Sequence, residues 1–289
     1  MKTAGLVALT VALLGATTMI APLVAAGVAA IGGHAPFTRI YNRVFEVLLV
    51  IALVATWRRL DLGGPAAWGL RRDGWSRALG VGLAIGLAGI AVGLVAAWVG
   101  GGLVPALRFD AFKTVRKALL GIGAAMVVGV GEETLFRGIL LRRFSLDLGA
   151  RGGLALTTII YGIVHALRGG KVASVGPWAG VERTLGLFAP LGNPATLAGV
   201  AGLCGLGLLL AVARQRTGSL WVPIGIHAAW VGVFRVGRLF FDIRQRPAWL
   251  VGPGWPPLVG GAAGLLALVV SAWTLRAVLA KRAAARNLP

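Results

Sequence analysis

Apolar positions along this chain come in long runs. They fall near residues 4–31, 41–57, 78–106, 118–141, 153–168, 195–213, 219–241 and 258–280. Most reach the roughly 20 residues that a helix needs to cross a bilayer. The second and fifth are shorter, and the stretch 169–194 is irregular. Lipid offers the backbone no hydrogen-bond partners, so each run must satisfy its own polar groups as a helix. The pattern predicts an all-α, polytopic transmembrane helix bundle of about eight spans. No stretch between the runs is long enough to fold as a separate soluble domain.

The polar positions sharpen this picture. Lys and Arg gather at run ends: Arg58, Arg59, Arg71 and Arg72 after the second, Arg142 and Arg143 after the fourth, Lys281, Arg282 and Arg286 after the last. Cations so placed anchor spans and face anionic headgroups. They account for the formal net charge of +20, which therefore implies a lipid bilayer and no nucleic-acid partner. With alternate loops assigned to alternate sides, a small excess of cations falls with the two termini. That predicts both termini cytoplasmic in a multi-pass protein of the cell (plasma or inner) membrane. A mean hydropathy of +0.85 lies outside the range of ordinary soluble domains.

Three features read as structural. The first run, with Lys2 ahead and small residues behind, resembles a secretory signal. It is about twice as long as a signal core of 7–15 residues, so it is expected to persist as the first span. The single Cys204 excludes an intramolecular disulfide or a Cys metal cluster and reads as a small buried hydrophobe. Glycine-rich stretches such as "GVGLAIGLAG" (80–89) are expected to be faces for close helix packing in lipid. They lack the preceding strand that a phosphate-binding loop requires.

Against this background the nine acidic residues matter one by one. "GEETLFRGIL" (131–140) sets Glu132 and Glu133 side by side in the fourth run, with Arg137 one turn further on. An ionisable group within hydrocarbon is costly enough that a functional role is its default reading. Glu133 and Arg137 are four apart with the acid first, the favourable order for a helical ion pair. Glu132, turned about 100° round the helix, is then left for chemistry. Two of the three histidines also lie within runs: His165 in "YGIVHALRG" and His227 in "PIGIHAAWV". His34, in "IGGHAPF", belongs to the first loop and reads as solvated or interfacial.

A carboxylate and two imidazoles admit two chemistries. Glu can act as general base on a water while His orients it or polarises a carbonyl. Alternatively, Glu132, His165 and His227 can form a His₂Glu ligand set for catalytic zinc. The residues commit to no cofactor, and zinc is the metal they could hold. The bland alternative is that the acids only pair with arginines and fix helix packing.

"EETLFR" (132–137), "YGIVH" (161–165) and "HAAWV" (227–231), with the leader "RTGSLWVPIGIHA" (216–228), together resemble the three ordered motifs of the CPBP family. That family comprises CAAX-type prenyl endopeptidases and bacteriocin-processing or immunity proteins, and its motifs run E-E-x-x-x-R, F-x-x-x-H and H-x-x-x-N/D. The resemblance covers roughly 115–240. It divides the chain into N-terminal spans one to three (1–114), a CPBP-like catalytic core in the membrane (115–241), and a last loop, C-terminal span and basic tail (242–289). Carried over residue by residue, it implies Glu132 as the base that activates water and Glu133 with Arg137 as a supporting pair. It implies His165 and His227 as the groups that hold the water or polarise the scissile carbonyl. Members that process prenylated tails work as glutamate proteases without an obligatory metal, although the family often carries the metalloendopeptidase label.

Two positions depart from the pattern. Tyr161 replaces Phe, and Val231 replaces the Asn or Asp expected one turn after His227. The missing polar group would suit an oxyanion, and losing one such donor typically lowers turnover by about 10²–10³. Tyr161 and Arg168 are the nearby candidates to replace it. The expected function is an intramembrane endopeptidase that cuts near the C-terminus of a membrane-anchored or lipidated protein. A catalytically inactive immunity or binding protein and a proton-coupled transporter remain the alternatives. The substrate, its lipidation and the oligomeric state are not encoded in any recognisable way.

Overall fold

The computed structural model describes residues 2–167, 172, 176–244, 246–254 and 257–286. In chain order its helices are α1 (Lys2–Ala30), α2 (Phe37–Thr56), α3 (Pro65–Trp68), α4 (Trp75–Val99), α5 (Ala111–Glu133) and α6 (Leu141–Ala166). They continue with α7 (Ala179–Gly186), α8 (Pro194–Thr217), α9 (Trp221–Gly237), α10 (Ala248–Val251) and α11 (Ala262–Arg286). A π-helical segment, Thr134–Leu140, joins α5 to α6. Two three-residue strands, β1 (Leu103–Pro105) and β2 (Phe241–Ile243), pair antiparallel with Leu103 opposite Ile243. The protein is an all-α polytopic membrane bundle, and among the described residues five helical stretches are long and apolar enough to cross a bilayer: Lys2–Ala30, Trp75–Val99, Ala111–Ala166, Pro194–Thr217 and Ala262–Ala284.

Differences from the run pattern have local causes. Ala111–Ala166 combines the fourth and fifth runs, and its helical course breaks at Gly149 (φ 75°, ψ 168°), a backbone conformation that favours glycine. Gly153 then packs so tightly on Ser145 that a Cβ would lie 2.3 Å from the Ser145 Oγ. The second run becomes α2, which carries Arg39, Arg43 and Glu46 within its length. The seventh becomes α9, only 17 residues or about 26 Å at 1.5 Å per residue. Val222–Trp230 are buried without interruption. This helix is apolar all round because protein surrounds it.

The chain divides into two compact units, residues 1–63 with 165–194, and residues 64–164 with 195–289. In the first, α1 buries a stripe at Leu6, Leu13, Thr17, Ala21 and Ala25, the three-to-four spacing of one helix face. Pro22 lacks the N–H that would bond the Thr18 carbonyl, and Gly180 of α7 approaches that carbonyl so closely that a Cβ would sit 1.9 Å from it. The Thr184 hydroxyl ties the unit together, 2.6 Å from Thr18 Oγ1 and 2.7 Å from Tyr41 Oη.

In the second unit α4 is the hub, and its glycines form two faces. Gly82 and Gly86 meet α9: a Cβ on Gly82 would lie 2.1 Å from the Val222 carbonyl, and one on Gly86 would lie 2.7 Å from that of Ile226. Gly89 and Gly93 meet α11, where a Cβ would lie 2.5 Å from the Ala267 carbonyl and 2.7 Å from that of Ala263. Backbones this close are how helices associate in lipid, where no hydrophobic drive acts between them. Ile85, Leu210, Val222, Ile226 and Ala267, all at most 1% exposed, fill the core between α4, α8, α9 and α11. This packing fixes the rotation of α9, and therefore the direction of His227.

Candidate active site

Glu133 ends α5 and Arg137 lies in the π-helical segment that follows. Both side chains are fully buried, with Arg137 Nη1 2.8 Å from Glu133 Oε1. At its other end the guanidinium donates through Nη2 to the Gly207 carbonyl of α8, at 3.1 Å. Its flat face lies 4.2 Å from the ring centre of Tyr161 on α6, which meets Phe136 edge-on at 5.1 Å. A buried charge is tolerated only when it is paired and its remaining hydrogen-bonding capacity is used. Arg137 is paired with a carboxylate, a carbonyl and an aromatic face, while its buried Nε makes no hydrogen bond among the described residues.

His227 enters from α9 and is 2% exposed. Its Nδ1 lies 2.8 Å from the same Glu133 Oε1 that accepts from Arg137. Its Nε2 faces Glu132 Oε2 at 3.9 Å. A carboxylate already paired with a guanidinium is an acceptor, so the ring proton belongs on Nδ1. In that tautomer Nε2 is the ring nitrogen turned toward Glu132. Glu132 is the most exposed member of the group, with a third of its side chain accessible, although the Oε2 that faces His227 is itself buried. Arg137, Glu133, His227 and Glu132 thus form a chain of contacts that runs from a sealed end to an open one.

The expected Glu133–Arg137 pair is formed, but Glu133 does more than pair. It also orients His227, a link the spacing within "EETLFR" does not disclose. The π-helical geometry is a second feature absent from the sequence reading. Leu141 N–H bonds the Phe136 carbonyl five residues back, and such bulges recur at functional sites because they re-aim side chains. Gly207 is a third: a Cβ there would lie 3.0 Å from Tyr161 Cδ1 and 3.5 Å from Arg137 Nη2. Nothing marks it among the chain's 45 glycines.

The other expected residues are placed as follows. Tyr161 is 1% exposed and stands perpendicular to His227, ring centres 6.4 Å apart. Val231, half-buried, follows His227 by one turn of α9. His165, half-buried at the end of α6, belongs to the first unit, and Glu132, Glu133, Arg137, Tyr161, His227 and Val231 belong to the second. Arg168 lies outside the described residues. Zinc, which Glu132, His165 and His227 suit by residue type, asks for three protein donors. Among the described residues no group of three or more His, Cys, Asp or Glu is arranged to hold a metal ion.

Residues 114–233 match the family model described as type II CAAX prenyl endopeptidase Rce1-like. The match takes in Glu132, Glu133, Arg137, Tyr161, His165, His227 and Val231, and it covers about two fifths of the 289-residue chain. No curated protein and no solved structure matches. With the three ordered motifs inside it, this match supports a CPBP family intramembrane protease over residues 114–233.

Proposed function

We propose that this protein is an intramembrane glutamate endopeptidase that hydrolyses a peptide bond near the C-terminus of a membrane-anchored or lipidated substrate. The observation that carries the reading is the shared Glu133 Oε1, which accepts from Arg137 and from His227 Nδ1 and so turns His227 Nε2 toward Glu132. A water about 2.8 Å from both Nε2 and Oε2 would subtend roughly 90° across their 3.9 Å separation. That is close to the angle between its own two O–H bonds, so it can donate to both.

Glu132 takes one proton from this water as the oxygen attacks the scissile carbonyl carbon. The carbonyl electron pair moves onto oxygen, and the tetrahedral intermediate collapses with cleavage of the C–N bond. The leaving nitrogen takes the proton back from Glu132, yielding an amine and a carboxylic acid. His227 holds and aims the water; its own tautomer is held by Glu133. For His165 the family motif alone implies a part in polarising the carbonyl. No step is routed through a metal. The enzyme acts in the cell membrane, with both termini cytoplasmic.

A tail-cleavage assay on membranes or purified protein tests this. Glu132→Gln keeps the fold and lowers turnover by about 10²–10⁴, the usual contribution of a positioned general base. Chelators leave the wild type unaffected. Activity restored to a chelated enzyme specifically by zinc would overturn the metal-free mechanism. Val231, in place of the family's Asn or Asp, favours the second reading, a CPBP-like binding protein without catalysis. That reading requires Glu132→Gln to leave the biological phenotype intact.

A further inference from the structure

Within the second unit α8 and α11 run side by side and meet where a Cβ on Gly205 would lie 2.8 Å from Leu268 Cδ1. From there a groove of about 690 Å³ opens between them. Its walls are apolar along their length, with Leu208 and Val212 on α8 and Leu268 and Leu275 on α11. Among the described residues, the charged ones lining it are Arg216 and Arg276. From Gly205 to Arg216 the groove spans about 16 Å at 1.5 Å per residue, the depth of one leaflet of a core roughly 30 Å thick.

The arginine end lies at the membrane boundary. There α8 ends at Thr217 and the chain turns through Gly218 (φ 66°). Beside it Arg214 Nε donates to the Trp68 carbonyl at 2.7 Å, and Trp75 and Trp221 meet at a tilt of 52° with ring centres 5.4 Å apart. Paired tryptophans are typical of the interfacial belt. Arg216 and Arg276 are both exposed, and among the described residues neither forms an ion pair. An apolar channel one leaflet deep, closed at the headgroup level by two uncompensated guanidiniums, has the chemistry of an anionic lipid. We propose that the α8–α11 groove is a binding site for an anionic phospholipid. Its acyl chain lies along the groove and its phosphate sits between Arg216 and Arg276.

The test is native mass spectrometry of the full-length protein in detergent, titrated with phosphatidylglycerol or, separately, phosphatidylcholine. Wild type should retain one phosphatidylglycerol about 30-fold more tightly than phosphatidylcholine, the effect of two arginines near a membrane surface. Arg216→Gln/Arg276→Gln should abolish that preference. Ala272→Trp, which fills the groove and keeps both arginines, should abolish retention itself. Inorganic phosphate should not displace the lipid. Equal retention of the two lipids, a preference that survives the double substitution, or displacement by free phosphate would each overturn the site. So would dimers that disappear in Ala272→Trp with no lipid retained, because the groove would then belong to a second copy.

Discussion

Replacing Arg137 with Leu should cost more stability than any other single change in the site. The substitution removes the 2.8 Å bond to Glu133 and the bond to the Gly207 carbonyl, and it exposes nothing to water, since both charged side chains are fully buried. Glu133 is left as a buried carboxylate facing only the Nδ1 proton of His227. Removing one partner of a buried ion pair typically costs about 3–5 kcal/mol, chiefly because the other charge stays behind. If that is the cause, neutralising the survivor should recover much of the loss. Glu133→Gln in the Arg137→Leu background should therefore be less destabilised than the sum of the singles, with a coupling near the upper end of the 0.5–3 kcal/mol range for contacting residues. Unfolding of the purified protein by SDS titration in mild detergent, followed by tryptophan fluorescence, measures all four corners of the cycle. Additive singles, or an Arg137→Leu variant within about 0.5 kcal/mol of wild type, would show that Glu133 does not depend on Arg137.

Two further substitutions probe the geometry around the pair. Gly207→Ala would bring a Cβ within 3.0 Å of Tyr161 Cδ1, and overpacking of this kind costs about 1–3 kcal/mol; melting in detergent should fall accordingly, and an unchanged midpoint would mean that Tyr161 is free to yield. Val231→Asn restores the polar residue that the family pattern places after His227. It should leave tail cleavage unchanged or raise it, and a tenfold loss would mean that no oxyanion donor belongs at that position.

The helices were legible wherever apolar runs ended at cations or glycine, because length and hydropathy alone decide what a bilayer accepts. Packing partners were legible in kind but not in pairing. "GVGLAIGLAG" announces a close-packed face, yet it does not reveal that Gly82 and Gly86 meet α9 while Gly89 meets α11. The Glu133–Arg137 contact was legible because it is local to one helical turn. The bond from His227 to Glu133 joins residues 94 apart, and a spacing rule carries no information about such a contact. The run at 219–241 shows a related limit: a lipid-facing span and a helix enclosed by protein have the same apolar composition. Only the burial of Val222–Trp230 separates them.

Under the proposed mechanism, the need for two adjacent carboxylates follows from what each would be asked to do. A base that must exchange protons has to reach water and substrate, and Glu132 keeps a third of its side chain exposed. A group that holds an imidazole in one tautomer must keep its charge and its position throughout, which calls for burial and a permanent counter-ion. Glu133 has both, with no exposure and Arg137 at 2.8 Å. One carboxylate cannot meet both demands, because the burial that fixes it also removes it from water. Placing them next to each other in sequence turns them about 100° apart on the helix, so one can face inward to Arg137 and His227 while the other faces the open end. His227 bridges the two through its opposite nitrogens, Nδ1 to Glu133 and Nε2 toward Glu132. The short apolar helix α9, fixed by glycine packing on α4, is what holds that bridge in place.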